Sequence, residues 1–134
     1  MRIADLRIGD WVKVGETDRR PGYVGKIKEI NGDTGYLLVG IKKGDASFEI
    51  VDVFYAEIKP IPLTVEIVCK NYRLLRGHNI TIDHGLDGDT DDISSFKIRV
   101  NGIEIWFSHR SFVHQFQSAL ALCGLPEIAE CIVV

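Results

Sequence analysis

The chain has 134 residues, of which 46% are hydrophobic and 26% charged, and its formal net charge is -3. These values are typical of a soluble globular protein with one ordinary core or two very small lobes, and they exclude disorder of the whole chain. The negative charge argues against a protein that binds nucleic acid or anionic membranes by bulk electrostatics. Residues 1–62 carry ten basic and ten acidic side chains and residues 63–134 carry six and nine, so any polyanion contact is expected in the first half.

The sequence predicts a cytoplasmic protein without a membrane contact. No apolar run has the length that spans a bilayer, and the first five residues lack the apolar core of a signal peptide. Cys69, Cys123 and Cys131 are odd in number, widely spaced and set among apolar residues. This arrangement favours reduced, buried thiols over a disulfide framework.

The first sixty residues contain short strand candidates separated by Gly, Asp and Asn, and no convincing helix. Short, evenly spaced strands of this kind are typical of a small barrel, which we predict for residues 1–59. The predicted strands cover residues 11–14, 23–30, 36–41, 48–51 and 53–58.

Residues 22–30 contain the pattern Gly-x-x-Gly-x-Ile-x-x-Ile. Glycines let a strand bend sharply as a small barrel closes, and the spaced Ile27 and Ile30 can both enter its core if a bulge lies between them. Together with residues 8–14, this segment resembles a KOW or SH3-like barrel. In transcription and ribosomal proteins such barrels bind RNA or protein, but many other SH3-like barrels bind neither. The resemblance therefore implies a fold more than an activity.

The two prolines Pro60 and Pro62 enforce an extended segment, after which we predict an α+β unit over residues 60–134. Helices are expected near 64–70 and 111–123, and Asn101-Gly102 predicts a hairpin over 95–107. Further strands are expected at 72–76 and 78–83, with residues 130–134 as an edge strand. The predicted fold class is therefore α+β, mainly β: an SH3-like small barrel followed by a small antiparallel sheet with two helices.

The helix near 111–123 organises the second half. Phe112, Phe116, Ala119, Leu120 and Cys123 recur at helical spacing and form one apolar stripe. His114 and Gln117 fall to the side or back of this stripe, so their i, i+3 pair is the best surface-interaction candidate on the helix. A hydrogen-bonded structural role for the pair is the favoured alternative.

A second resemblance covers nearly the whole length. The joint at 58–64 (Ile-Lys-Pro-Ile-Pro-Leu-Thr), the Phe-Val-His-Gln-Phe-Gln start of the helix at 112–117 and its Leu-Cys-Gly end resemble a family of small uncharacterised proteins. Genomes of gut anaerobes and their phages or mobile elements carry its members. The chain departs from the family by having Phe116 where Leu is usual and a longer acidic hairpin around 85–92. The resemblance implies an intact fold and no known activity.

No catalytic, metal or cofactor motif is complete. Residues 87–92 resemble the start of a calcium loop, but Asp92 stands where the sharp turn needs Gly, and Ile98 stands where a bidentate Glu is needed. A solvated hairpin tip is therefore expected, with weak cation binding left open. His109 and His114 are five positions apart, and His114 and Cys123 are nine apart. On a helix these spacings turn the side chains in different directions, so the sequence indicates neither a zinc pair nor a Cys-His dyad. We predict a protein that is not an enzyme and holds no metal or cofactor.

The leading functional prediction is a non-enzymatic binding or adaptor protein that acts by protein-protein contact, with partner and oligomeric state left open. The alternative is weak binding of RNA or single-stranded DNA by the barrel, for which cations and an aromatic ring on one face are required. A mixed soluble surface is favoured over this alternative, because acidic residues interrupt the basic set. The nucleic-acid candidates are Arg19, Arg20, Lys26 and Lys28 with Tyr23 as the stacking platform, and Lys42 and Lys43 could join them.

Overall fold

A computed structural model describes residues 3–19, 22–43, 47–86, 93–107 and 111–134. The chain divides into two compact units, Met1–Ile61 and Pro62–Val134. The predicted class is confirmed, since the fold is α+β and mainly β: a five-stranded antiparallel sheet lies in the first unit and a three-stranded one in the second.

The first unit is a single antiparallel sheet with the strand order β4-β3-β2-β1-β5. A short 3₁₀ helix, Tyr55–Glu57, connects β4 to β5. The strands are β1 (Trp11–Val14), β2 (Tyr23–Asn31), β3 (Tyr36–Lys43), β4 (Ser47–Phe54) and β5 (Ile58–Pro60).

The predicted closed barrel is not formed. Within the described residues β4 pairs only with β3 and β5 only with β1, so the sheet stays open. Closure needs enough strand length for a tilted and staggered ladder. β5 has three residues, or roughly 10 Å of strand, and offers little length for a second partner.

One side of the first sheet forms the core of this unit. Alternate residues of each strand point to this side, so the apolar positions along β1 to β5 meet there. The buried residues of this core include Val12, Val14, Ile27, Leu37, Val39, Ile41, Val53 and Ile58.

Strand β2 carries a bulge. Ile27 pairs with Val39 and Glu29 pairs with Leu38, which leaves Lys28 as the extra residue. In the same strand Gly25 faces the core so closely that a Cβ there would lie 2.5 Å from Cγ1 of Val39. Gly25 is therefore required by the close approach of β3.

The second unit combines a sheet of order β6-β7-β8 with helices. The predicted hairpin is β7–β8, and its turn residues Asn101 and Gly102 both have positive φ, as a two-residue hairpin turn demands. The predicted helices near 64–70 and 111–123 are α1 and α3. The elements are α1 (Val65–Lys70), α2 (Tyr72–Gly77), β6 (Thr81–Leu86), β7 (Ile93–Val100), β8 (Ile103–Phe107), α3 (Val113–Leu122) and α4 (Pro126–Cys131).

The core of the second unit lies between α3 and the sheet. Phe116 of α3 is fully buried, and its ring meets that of Phe96 on β7 edge-on, with 5.8 Å between the centroids. Gly124 ends α3 with a φ of 82°, and the Leu125 amide donates back to the Leu120 carbonyl. The apolar stripe that the sequence predicted is thus a core contact.

One predicted strand is helical, and the predicted edge strand at 130–134 is helical at its first two residues. Residues 72–76 belong to α2, because the buried Ile67, Asn71 and Leu75 recur every four residues and make one continuous helical stripe across the α1–α2 junction. Residues 126–131 form α4, with Pro126 at the first turn, where proline is favoured. Residues 132–134 belong to no helix or strand, and Val133 is held by two hydrogen bonds with the Asn71 side chain rather than by a sheet.

Candidate binding surfaces

The first sheet has a second side, which we call the outer face. Register places Lys26 opposite both Trp11 and Gly40, and Gly40 opposite Ile50. Because partners in an antiparallel ladder share a face, these side chains lie together, away from the core. The part of the outer face on β2 to β4 consists of Lys26, Lys28, Glu29, Tyr36, Leu38, Gly40, Lys42, Phe48, Ile50, Asp52 and Phe54.

One half of the outer face combines lysines with exposed apolar groups. Phe48 and Ile50 on the edge strand β4 are 47% and 54% exposed. Nζ of Lys28 lies 5.5 Å from the centroid of the Phe48 ring, a cation–π contact. Gly40 leaves room for this crossing, since a Cβ there would lie 3.0 Å from Cε of Lys28. Lys42 is the register partner of Phe48.

Two further lysines face each other directly on the neighbouring strands. Lys13 of β1 is the register partner of Lys59 of β5. Like charges directly opposite each other in a sheet are destabilising. Glu16 lies near, with 3.7 Å between its Oε2 and Nζ of Lys13, and offsets part of this repulsion. Lys13 and Lys59 therefore add two cations to the outer face next to its lysine-rich half.

The other half of the outer face is acidic. Glu29, Asp33 and Asp52 line a depression of about 760 Å³ at the β2–β3 turn, together with Tyr36 and other residues. Tyr36 is 46% exposed, and its ring packs against that of Phe54 in a tilted arrangement, with 5.3 Å between the centroids. The outer face is therefore bipolar, with its cations and its carboxylates at opposite ends.

The predicted nucleic-acid residues are only partly brought together. Lys26 and Lys28 share the outer face, and Nζ of Lys26 lies 5.6 Å from the Trp11 ring centroid. Tyr23 pairs with the core residue Val14, so it lies on the opposite side of the sheet from the lysines and does not form one platform with them. Arg19 is exposed in the loop before β2, while Arg20 and the side chain of Lys43 lie outside the described residues. The ring that accompanies the lysines is Phe48, which sequence reasoning missed.

The second unit presents an exposed tryptophan on the solvent side of its sheet. Trp106 of β8 is 67% exposed. Its Nε1 donates to Oε1 of Glu104 at 2.8 Å, and Nζ of Lys97 lies 4.7 Å from its ring centroid. Beside it is a shallow depression of about 370 Å³, lined by Asp83, His84, Gly85, Ser95, Phe96, Lys97 and Trp106.

The charges around Trp106 form a chain of ion pairs. Lys97 lies between Asp83 and Glu104, at 3.8 and 3.7 Å, and Arg99 contacts Glu104 at 3.3 Å. The hydrogen bond from Trp106, followed by the charges of Lys97 and Arg99, lowers the pKa of Glu104. Glu104 therefore stays ionised and holds the indole in one orientation.

The predicted surface role of His114 and Gln117 is wrong, because both side chains are buried. Nε2 of Gln117 donates to the carbonyl of Ala129 at 2.9 Å and so ties α3 to α4. The ring of His114 stacks on that of Phe112, with 6.0 Å between the centroids. The favoured alternative, a hydrogen-bonded structural role, describes Gln117 correctly.

Among the residues that the structure describes, no three His, Cys, Asp or Glu side chains lie close enough to hold a metal ion. The acidic stretch 87–92 lies outside them. Cys123 is buried as predicted, and burial raises the pKa of its thiol. Cys69 and Cys131 are exposed, so the prediction of buried thiols is wrong for these two.

No helix in the described ranges is long and apolar enough to cross a membrane. Comparison of the chain with protein-family models, with curated proteins and with solved structures found no significant match.

Proposed function

We propose that the chain is a non-enzymatic binding protein that acts in the cytoplasm by protein-protein contact, with Trp106 as the anchor of that contact. The exposure of Trp106 on the β8 edge of its sheet carries the proposal. Tryptophan is enriched among the residues that dominate binding energy at protein interfaces.

The surroundings of Trp106 support this role. The bond to Glu104 and the contact with Lys97 hold the indole in one orientation before a partner arrives. A preorganised side chain loses less entropy on binding, so more of its contact energy remains as affinity. The adjacent depression offers space for an apolar or aromatic group of the partner beside the ring.

Affinity capture from the native host, with the immobilised full chain, tests this proposal. A specific partner should be retained by the parent and lost from Trp106→Ala. Tyr72→Ala is the matched control, because Tyr72 is also an exposed aromatic residue of the second unit. A partner retained equally by all three proteins would remove Trp106 as the anchor.

The second candidate function is weak binding of RNA or single-stranded DNA by the first unit. The observation that favours it is the lysine-rich half of the outer face, where Lys28 accompanies the exposed ring of Phe48 and Lys13 opposes Lys59. Binding of a single strand requires cations along the nucleic-acid backbone and an aromatic ring on which a base can stack.

We also propose that the first unit belongs to the SH3-like group, which its strand order and the 3₁₀ helix before β5 support. From the sequence motifs at 58–64 and 112–117 we propose kinship of the chain with the gut-anaerobe family.

Fluorescence anisotropy with labelled oligonucleotides at low salt tests the second candidate. Binding should weaken steeply as salt rises. Phe48→Ala should cost about 1 to 3 kcal/mol of binding free energy, the usual contribution of one stacked base, whereas Tyr23→Ala should leave affinity unchanged. Absence of binding at low salt, where electrostatic attraction is greatest, would remove this candidate.

A further inference from the structure

The outer face of β2 to β4 carries charges of both signs that form no ion pairs with one another among the described residues. In the described part of the chain, no ion pair involves Lys28 or Lys42, nor Glu29, Asp33 or Asp52. All five side chains are exposed. The lysines lie toward Phe48 and the carboxylates toward Tyr36, so the charges are separated along the strands.

From this arrangement we infer that the outer face of β2 to β4 binds the same face of a second copy of the chain, as a two-fold symmetric dimer. A two-fold axis in the plane of the interface and perpendicular to the strands reverses the strand direction. It brings the basic half of each copy over the acidic half of its partner. An interface of this kind uses one self-complementary patch on both copies.

The register defines which groups would meet if the axis passes over Gly40. Ile50 would face its equivalent in the other copy, and Gly40 would lie opposite its own equivalent with the two Lys28 side chains between them. Lys42, two residues from Gly40 on β3, would lie over Leu38 of the other copy. Leu38 is flanked by its register partners Glu29 and Asp52, so each Lys42 would approach two carboxylates.

The surface between the charges favours contact. Ile50 and Phe48 expose about half of their surface, and the aliphatic part of the Lys28 side chain crosses Gly40 beside them, so the centre of the face is apolar. Three strands about 4.8 Å apart and seven residues long offer on the order of 400 Å² from each copy. This area places the dimer in the weak, transient class, with a strong dependence on concentration and salt.

Sedimentation velocity of the full chain across a wide concentration range, at low and at high salt, tests the inference. The parent should dimerise at high concentration and low salt and dissociate as salt rises. The doubly acidic variant Lys28→Glu/Lys42→Glu and the doubly basic variant Glu29→Lys/Asp52→Lys should each raise the dimer dissociation constant about tenfold or more, because like charges would then face each other.

An equimolar mixture of the two variants gives the decisive result. Each variant repels itself, but the carboxylates introduced in one would lie over the ammonium groups introduced in the other, so the mixture should restore a dimer. The control is Arg73→Glu/Arg76→Glu on exposed residues of the second unit. It changes the net charge by as much as Lys28→Glu/Lys42→Glu does, and it should leave association unchanged. Ile50→Ala should weaken the dimer without any change of charge.

Three outcomes would overturn the inference. The parent could stay monomeric at every concentration at low salt, or the mixture could remain monomeric although both variants melt like the parent. The parent could also stay monomeric while Lys28→Glu/Lys42→Glu loses binding to a labelled single strand, in which case nucleic acid is the occupant of the basic half. The inference does not depend on Trp106, and Trp106→Ala should leave the dimer intact.

Discussion

Ile27 and Ile30 point to the same side of β2 although they are three positions apart. In a regular strand two such residues lie on opposite faces. Lys28, the extra residue of the bulge, shifts the alternation by one position, so Ile27 is fully buried and Ile30 packs against the same core. The bulge also puts Lys28 and Glu29 side by side on the outer face, where the basic half meets the acidic half.

Deletion of Lys28 should be tolerated. Without it, Ile27, Glu29 and Ile30 alternate regularly, and each keeps its present partner on β3. We expect a loss of about 1 kcal/mol of unfolding free energy, the centre of the usual range for a single change. Urea denaturation of the full chain measures this value.

Deletion of Lys26 is the matched comparison. It removes a residue from the regular part of β2 and turns either Ile27 or the residues before it to the wrong face, which should cost about 3 kcal/mol or more. Equal losses for the two deletions would show that Lys28 is not the extra residue of the strand.

Phe116→Ala should destabilise the chain by about 3 to 5 kcal/mol, because the ring is fully buried against Phe96. Leu122→Ala, on the same helix, should change the unfolding free energy by less than about 0.5 kcal/mol, because Leu122 is 70% exposed. Thermal melts at several protein concentrations distinguish the two. A Phe116→Ala variant that keeps its melting temperature would contradict the core assignment.

Gln115 is not the neutral position that its place beside the apolar stripe indicates. Its Oε1 accepts a hydrogen bond from the Phe112 amide at 3.0 Å and caps the start of α3. Gln115→Ala should therefore cost about 1 kcal/mol, as loss of a cap does. Gln115→Glu keeps the acceptor and should retain the stability of the parent in the same denaturation experiment, so equal losses for Ala and Glu would contradict a capping role.

Asn71 holds the end of the chain. Its Oδ1 accepts from the Val133 amide at 2.8 Å, and its Nδ2 donates to the carbonyls of Val133 and Ile67 at 2.8 and 2.7 Å. Asn71→Ala should cost about 2 to 3 kcal/mol, since the buried carbonyl of Ile67 and the partly buried amide and carbonyl of Val133 all lose this partner. In a chain shortened to end at Ile132, Asn71→Ala should cost clearly less, because the Val133 partner is already gone. If the substitution and the truncation had strictly additive effects on the unfolding free energy, the hydrogen bonds between Asn71 and Val133 would not contribute to stability.

Asp10 should make stability fall as pH rises. The residue is buried, and desolvation raises its pKa from 3.8 to about 6, although the Arg7 amide at 2.8 Å from Oδ2 and the Arg7 charge act in the opposite direction. The folded state therefore holds this proton more tightly than the unfolded state. Stability from this group is greatest below pH 3.8 and is lost between pH 3.8 and about 6.

Asp10→Asn tests this sign. The amide keeps an oxygen for the Arg7 amide and removes the buried charge, so at pH 7 the variant should be more stable than the parent by as much as about 3 kcal/mol. The difference should shrink toward zero as pH approaches 4. Chemical denaturation of both proteins over this range gives the comparison, and a variant less stable than the parent at pH 7 would show that the carboxylate is stabilising.

The sequence alone determined the features that depend on local pattern. The α+β class, the β7–β8 hairpin at Asn101-Gly102, the apolar stripe of α3 and the bulge between Ile27 and Ile30 all follow from periodicity and turn chemistry. Short segments are not determined in this way, because a few apolar residues fit a strand or a helix equally well. The pattern of residues 72–76 predicts a strand, whereas the four-residue spacing from Ile67 to Leu75 is that of the observed helix.

Only the tertiary structure decided which faces are covered and which charges meet. His114 and Gln117 are both buried, and Gln117 donates a hydrogen bond to the Ala129 carbonyl of α4, a helix that the sequence analysis did not predict. Tyr23 and Lys28 are close in sequence but lie on opposite sides of the sheet, while Phe48, twenty residues away, comes next to Lys28. Strand pairing joins residues that are distant in the chain, so the composition of an exposed face is a property of the register and cannot be read from neighbouring residues.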